Sequence, residues 1–265
     1  MSLTLFRREM RAHGILLLIF AGVMALYGGM IVSMFDPELG ESLAAMAQSM
    51  PQIFAAFNMT DPGATLIEFL ANYLYGFLFV VLPMVALLIL AAGLVAGHVD
   101  KGSMAYLLAS PHTRIGIVYT QAGVLLSFTL LLCAWAFGLC VGAGEAMFPG
   151  ELDIERFSLL NLGLLGLHVF FGGLAFLCSC VFNETRLAAG VSAGLCVLFV
   201  LIQMLSQVGD TFEWLRFLTP LTLFDTDGLV AGDSGAVGRF LVLYGWGVSM
   251  YFVGALAFSR RDLPL

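Results

Sequence analysis

Side chains that could carry out chemistry are scarce in this chain of 265 residues. Its only lysine, Lys101, follows Asp100, so the GK[ST] signature of a phosphate-binding loop does not occur in the sequence. No serine, histidine and aspartate, and no glutamate and histidine, are spaced so that we would expect them to meet at one depth of a membrane. The sequence therefore predicts that the chain is not an enzyme and binds no nucleotide itself.

The cysteines and histidines add few candidates for a functional site. The five cysteines all lie in apolar runs without the spacing of a zinc site, and buried free cysteine is usually a packing residue: Cys133, Cys140, Cys178, Cys180 and Cys196. His168 is the one ionisable residue deep within an apolar run, which makes it a candidate pathway residue. It has no charged partner at its depth, so the competing interpretation is a neutral histidine bonded to a neighbouring helix.

A segment with several polar residues, from His98 to Gln121, separates two long apolar runs. It carries three charged side chains that are costly to leave in lipid: Asp100, Lys101 and Arg114. This segment must therefore connect two membrane spans outside the hydrocarbon.

A short helix is predicted within this segment. Gly102 and Ser103 indicate its start, with Ser103 as the N-cap. Pro111 ends it, because a proline ring pushes the preceding residue out of the α region. Three apolar side chains between these limits share one face: Met104, Leu107 and Leu108. About two turns of helix are not stable alone in water. Either a partner holds this helix or it rests on the membrane surface.

The elements around these residues follow from composition. Apolar residues make up 60% of the chain and charged residues 11%, against about 25% charged in soluble domains. The sequence predicts an all-α integral membrane protein that forms one polytopic domain over residues 1–265. Six apolar runs are long enough to cross a bilayer, at about residues 15–34, 66–97, 115–143, 157–182, 187–208 and 240–258.

Shorter amphipathic elements flank the spans. Residues 3–13 place Leu3, Phe6 and Met10 against a polar face that includes Glu9, which predicts a helix lying on the membrane surface. The run that follows is too long for a signal peptide and lacks an A-x-A site, so we expect it to be retained. Short interfacial helices are predicted on the other side, at residues 38–50 and 209–238, and Pro83 predicts a kink in the second span.

Charge distribution predicts the orientation of the chain. Six spans put both termini on one side, together with eight of the eleven basic residues: Arg7, Arg8, Arg11, Lys101, Arg114, Arg186, Arg260 and Arg261. Arg156, Arg216 and Arg239 lie on the other side. Basic residues concentrate on the cytoplasmic side of membrane proteins. The termini and the short helix at Gly102 are therefore expected in the cytoplasm.

With six spans and this connecting segment, the sequence resembles the permease subunit of a type 2 ABC exporter. Such permeases carry a segment of the form G-E-x-x-x-G-T-x-x-x-L-L-x-x-P-x-x-R after the second span. This chain matches it at Gly97, Gly102, Leu107, Leu108, Pro111 and Arg114. It departs from it at His98, where the family usually has Glu, and at Ser103, where it has Thr. Similarity extends through Phe217, Pro220 and Phe224-Asp225 to the closing Arg260-Arg261.

The resemblance implies a function for the short helix. In this family it is a coupling helix that docks into a groove on a separate cytoplasmic ATPase. Its implied contact residues are Gly102, Ser103, Met104, Tyr106, Leu107, Leu108, Pro111 and Arg114. The resemblance also implies two copies of the ATPase, which would bind ATP and Mg, and a second permease, either identical or homologous. The expected location is a bacterial inner or plasma membrane, in contact with lipid and not with nucleic acid.

Two other classes share this hydropathy. A secondary transporter or channel would be expected to carry paired ionisable residues or broken helices near the middle of the membrane, which only His168 and Pro83 approach. A scaffold subunit that transports nothing would need no docking helix. Co-purification with an ATP-hydrolysing partner distinguishes the exporter from both alternatives.

Overall fold

The computed structural model describes residues 2–36, 49–56, 65–109, 113–208 and 210–261. Its helices are α1 Leu3–Ala12, α2 Gly14–Ser33, α3 Pro51–Ala56, α4 Leu66–Leu70, α5 Leu78–Leu94, α6 Ala96–Asp100, α7 Met104–Leu108, α8 Arg114–Met147, α9 Ile154–Val181, α10 Thr185–Ser206, α11 Thr226–Ala231 and α12 Ser234–Arg260. A π-helix covers Ala71–Tyr75, and 3-10 helices cover Asp210–Leu218 and Pro220–Leu223. The described residues form no strand.

Six segments are long and apolar enough to cross a membrane, which confirms the predicted all-α membrane fold. The first span is α2, the second runs from Leu66 to Asp100, and the third to sixth are α8, α9, α10 and α12. Six crossings bring α1 and the end of α12 to the same end of the bundle, which we call the terminal end. The opposite end, which carries α3, α11 and the 3-10 helices, is the distal end.

Several spans are longer than their apolar runs predicted, because polar capping residues extend the helices. Asp233 accepts a hydrogen bond from the Gly235 backbone at 2.9 Å, so the sixth span begins at Ser234 rather than near residue 240. Asp153 caps the fourth span in the same way, so this span begins at Ile154 rather than near residue 157. A capped helix can begin in polar sequence because its first N–H groups are satisfied.

The second span is the least regular. It begins with a capping box in which Thr65 and Glu68 each accept the other's backbone N–H. Helix α5 continues through Pro83, and the backbone departs from helical dihedrals at Phe77 and Val95, on either side of it. The points where the backbone leaves helical dihedrals therefore flank α5.

The fourth span is the core of the bundle. It is the most buried of the six spans and packs most extensively against the sixth. A Cβ atom on Gly173 would lie 2.5 Å from the Gly247 carbonyl oxygen, and one on Gly247 would lie 2.6 Å from that of Val169. The two backbones thus touch where small residues permit it, as is usual where membrane helices cross closely.

Candidate functional site

Helix α6, at the terminal end, is tied to two membrane spans. The Ala96 N–H donates to Ser179 Oγ of the fourth span at 3.0 Å. Asp100 Oδ2 accepts from the Thr185 hydroxyl at 2.8 Å and from its backbone N–H at 3.3 Å. Thr185 begins the fifth span, whose own N-cap residue makes no capping bond. Asp100 therefore supplies the negative charge that a helix N-terminus favours.

Helix α6 is also tied to α1, through a group of ionisable side chains. Glu9 is only 4% exposed, although the sequence predicted it on the polar face of α1. Its carboxylate lies 3.7 Å from His13 Nε2 and 3.6 Å from His98 Nε2. The hydrogen bond with His13 has the largest effect on the pKa of Glu9, and the bond with His98 the next largest. Together they lower this pKa to about 2, although burial alone would raise it.

The expectation that no glutamate and histidine would meet is therefore wrong. Helical periodicity relates Glu9 only to its neighbours in sequence and does not report a partner as distant as His98. Among the described residues, no group of three or more His, Cys, Asp or Glu side chains is placed to hold a metal ion. Glu9, His13 and His98 form an ionic cluster, which we call the Glu9 cluster.

Ser103 extends this cluster towards α7. Its hydroxyl lies 2.9 Å from His98 Nδ1 and donates to the His98 carbonyl at 3.2 Å. Ser103 itself has helical dihedrals and makes no capping bond. The predicted N-cap role of Ser103 is wrong, because its hydroxyl bonds to His98 and not to a backbone N–H of α7. His98 thus contacts Ser103 through Nδ1 and Glu9 through Nε2.

The α7 helix has five residues, so it is shorter than the predicted two turns. Gly102 precedes it with φ of +68°, a conformation that glycine adopts without strain. Met104 is fully buried in the core, and Leu107 and Leu108 are half-buried against it. Tyr106 is 83% exposed. The apolar surface that α7 offers to a partner therefore comes mainly from Tyr106.

Two arginines at the terminal end, Arg114 and Arg261, donate hydrogen bonds to backbone carbonyls. Arg114 is exposed at the start of the third span, and its Nη1 atom donates to the Arg261 carbonyl at 3.4 Å. Arg261 in turn donates to the carbonyls of Cys180 and Phe182, at 2.6 and 3.3 Å, at the end of the fourth span. Burial lowers the pKa of Arg261 from its usual value. Pro111, also predicted as a contact residue, lies outside the described residues.

His168 occupies a different place. It is fully buried in the fourth span, with Nδ1 2.8 Å from the Leu164 carbonyl and Nε2 3.2 Å from the Val80 carbonyl of the second span. Both partners are carbonyl oxygens, so a neutral ring, which has one N–H, donates to one of them at a time. This arrangement joins two spans and favours the structural interpretation of His168 over the pathway one.

The sequence of this chain matches a known protein family. The family of ABC-2 family transporter proteins matches residues 3–263, which is nearly the whole chain. No curated protein matches it. The matched region includes all six spans and the segment between the second and third spans. The chain therefore belongs to the ABC-2 family of transporter proteins and is a membrane permease of the ABC type.

Proposed function

We propose that this permease is the membrane subunit of an exporter and couples to a separate cytoplasmic ATPase through α7. The observation that carries the proposal is the position of α7 at the end of α6. Bonds from α6 reach the fourth span at Ser179, the fifth span at Thr185 and α1 at Glu9. A displacement of α7 would therefore act on three helices together.

In this proposal Tyr106 is the principal side chain that enters the ATPase groove, with Leu107 and Leu108 at its sides. Met104 fixes α7 to the bundle, because its side chain is fully buried. Gly102 permits the turn into α7, while Ser103 connects α7 to His98. Pro111 and Arg114 would complete the contact after the helix.

The working complex would contain two ATPases and two permeases, the second permease being identical or homologous. ATP and Mg would bind to the ATPases. Closure of the ATPases would press on α7 of each permease, and the bundle would change between inward and outward access. The terminal end would face the cytoplasm of a bacterium, because eight of the eleven basic residues belong to it.

The experiment compares Tyr106→Asp with Trp214→Asp. Trp214 is 60% exposed and belongs to the distal end, so it provides a matched control for an added surface charge. Tagged permease is purified from membranes of cells that express it natively, and ATP hydrolysis by the eluate is measured. We expect wild type and Trp214→Asp to retain an ATP-hydrolysing subunit and Tyr106→Asp to lose it. Burying an unpaired carboxylate in an apolar groove would cost about 1–3 kcal/mol or more.

Two results would reject the proposal. Equal ATP hydrolysis with Tyr106→Asp and wild type would exclude α7 as the docking element. Wild-type permease that purifies at full yield without any ATP-hydrolysing subunit would exclude the partnership itself.

A further inference from the structure

Two cavities adjoin each other at the distal end, and they differ in chemistry. The polar chamber has a volume of about 320 Å³, and its walls include Gln203, Gln207, Asp225 and Asp227. The apolar chamber has a volume of about 790 Å³, and its walls include Phe170, Phe199, Phe217, Trp246 and Met250. Three residues line both chambers: Arg216, Thr222 and Arg239. Both volumes fall in the range of small-molecule sites, roughly 300–1,000 Å³.

The apolar chamber has the depth of one membrane leaflet. Its lining on the sixth span extends from Arg239 to Met250. Eleven residues of α-helix cover about 16 Å at 1.5 Å per residue. Half of the hydrocarbon core of a bilayer is about 15 Å thick. The chamber thus runs from the distal interface to about the middle of the membrane.

The walls of the apolar chamber require no polar ligand. Phe170 packs with Phe199 and with Trp246, at ring-centroid distances of 6.2 and 6.3 Å. The polar side chains there are already bonded, since Ser249 donates to the Trp246 carbonyl at 2.7 Å and Thr219 to that of Phe199 at 3.1 Å. A hydrocarbon chain is the ligand that such a surface favours.

The junction of the two chambers carries charges of both signs. Arg216 lies 2.7 Å from Glu213, and Arg239 lies 2.8 Å from Asp225 and 3.2 Å from Asp233. Both arginine side chains are nearly half exposed. An anionic oxygen would be attracted to the guanidinium groups, but a purely anionic head group would also meet the carboxylates. A purely cationic head group would be repelled by the two arginines. A head group that carries both signs complements the junction.

We propose that this two-chamber site binds a zwitterionic amphiphile with a single hydrocarbon chain, taken from the distal leaflet. The chain lies in the apolar chamber. The anionic part of the head group contacts Arg216 and Arg239, and its cationic part enters the polar chamber towards Asp225 and Asp227. Binding is a property of this chain alone, and it does not depend on the ATPase partnership proposed above.

The test uses purified permease in neutral detergent and a lysophosphatidylcholine with a photoreactive diazirine in its tail. We expect saturable labelling that maps to peptides containing Phe199 and Trp246. Unlabelled lysophosphatidylcholine should compete at least about tenfold better than a monoacylglycerol, an alkyl sulfate or an alkyltrimethylammonium of the same chain length, since charge-assisted contacts discriminate by about that factor. Equal competition by any of the three would overturn the head-group assignment.

Matched variants test the location of the site. Arg239→Gln should weaken binding about tenfold, while Arg260→Gln, at the other end of the same span, should leave it unchanged. Ser249→Phe should weaken labelling by narrowing the apolar chamber. Ser249 is exposed on the helix surface, so the substitution leaves the packed core intact. Unchanged labelling in both Arg239→Gln and Ser249→Phe would overturn the proposal. Labelling spread over all lipid-facing helices would do so as well.

Discussion

The Glu9 carboxylate of α1 faces Nε2 of His98 in α6 at 3.6 Å, which joins the first helix of the chain to the segment that leads into α7. Permeases that share this segment usually carry a glutamate where this chain has His98. Here the carboxylate comes from Glu9 and the imidazole from the segment itself. In this chain the segment therefore contributes the partner of a carboxylate and not a carboxylate itself.

An exchange of the two charges should test this pairing. His98→Glu places a second carboxylate beside Glu9 and should lower the free energy of unfolding by about 1–3 kcal/mol, because a buried charged group loses its partner. Adding Glu9→Lys should restore most of that loss. Thermal denaturation of the detergent-solubilised permease, followed by size-exclusion chromatography, provides the measurement. A double variant no more stable than His98→Glu would show that the pair contributes no coupling.

The Glu9 cluster should make stability depend on acid pH. The folded-state pKa of Glu9, about 2, lies below the ordinary value of 4.5. A carboxyl group with a lowered pKa stabilises the fold above its unfolded pKa and loses that contribution as the pH falls through the folded one. We therefore expect wild type to exceed Glu9→Gln in melting temperature at pH 5.

That margin should shrink between about pH 4.5 and pH 2, where the folded carboxylate becomes protonated. The measurement is the melting temperature of wild type and of Glu9→Gln across this pH range. A margin that stays constant down to pH 2 would show that Glu9 acts through packing and not through its charge.

The contact between the fourth and sixth spans predicts different effects for two glycines of α12. Alanine at Gly247 would place its Cβ 2.6 Å from the Val169 carbonyl oxygen, and overpacking of this kind costs about 1–3 kcal/mol. Alanine at Gly245 meets no atom within 4 Å, so stability should be unchanged or slightly increased. Equal melting temperatures for the two variants would contradict the close backbone contact.

Orientation can be tested by cysteine labelling in intact cells. The five native cysteines are buried, so their background reaction with an impermeant thiol reagent should be low. Cysteine introduced at Asp233, or at Ser42 in the predicted outer helix, should react from outside. Cysteine at Ser110, between α7 and the third span, should react only after the cells are opened. The opposite pattern would invert the proposed topology and remove α7 from the cytoplasm.

Apolar run length was enough to predict the six spans, because a segment that crosses a bilayer must satisfy its backbone internally and be hydrophobic throughout. The ends of the spans were predicted less well. Asp233 and Thr65 extend or begin helices through capping bonds, which depend on local geometry and not on hydropathy.

The α7 segment shows a different limit of sequence analysis. Spacing correctly placed Met104, Leu107 and Leu108 on one face, but it could not tell that this face packs against the bundle. Met104 is buried and Tyr106 is exposed because α7 docks on the permease's own core. The roles of Glu9 and Ser103 were missed for a related reason, since both depend on His98 and only the folded chain brings the three together.

The bond between Arg261 and the end of the fourth span has a consequence for biosynthesis. The carbonyls of Cys180 and Phe182 enter the membrane long before Arg261 is translated, because 79 residues separate Phe182 from it. At roughly 5–20 residues per second, the ribosome needs about 4–16 s to supply the guanidinium group. During that interval water or lipid head groups must satisfy these carbonyls. The terminal end, which carries the surface proposed for the ATPase, is therefore completed only after the last span has been inserted.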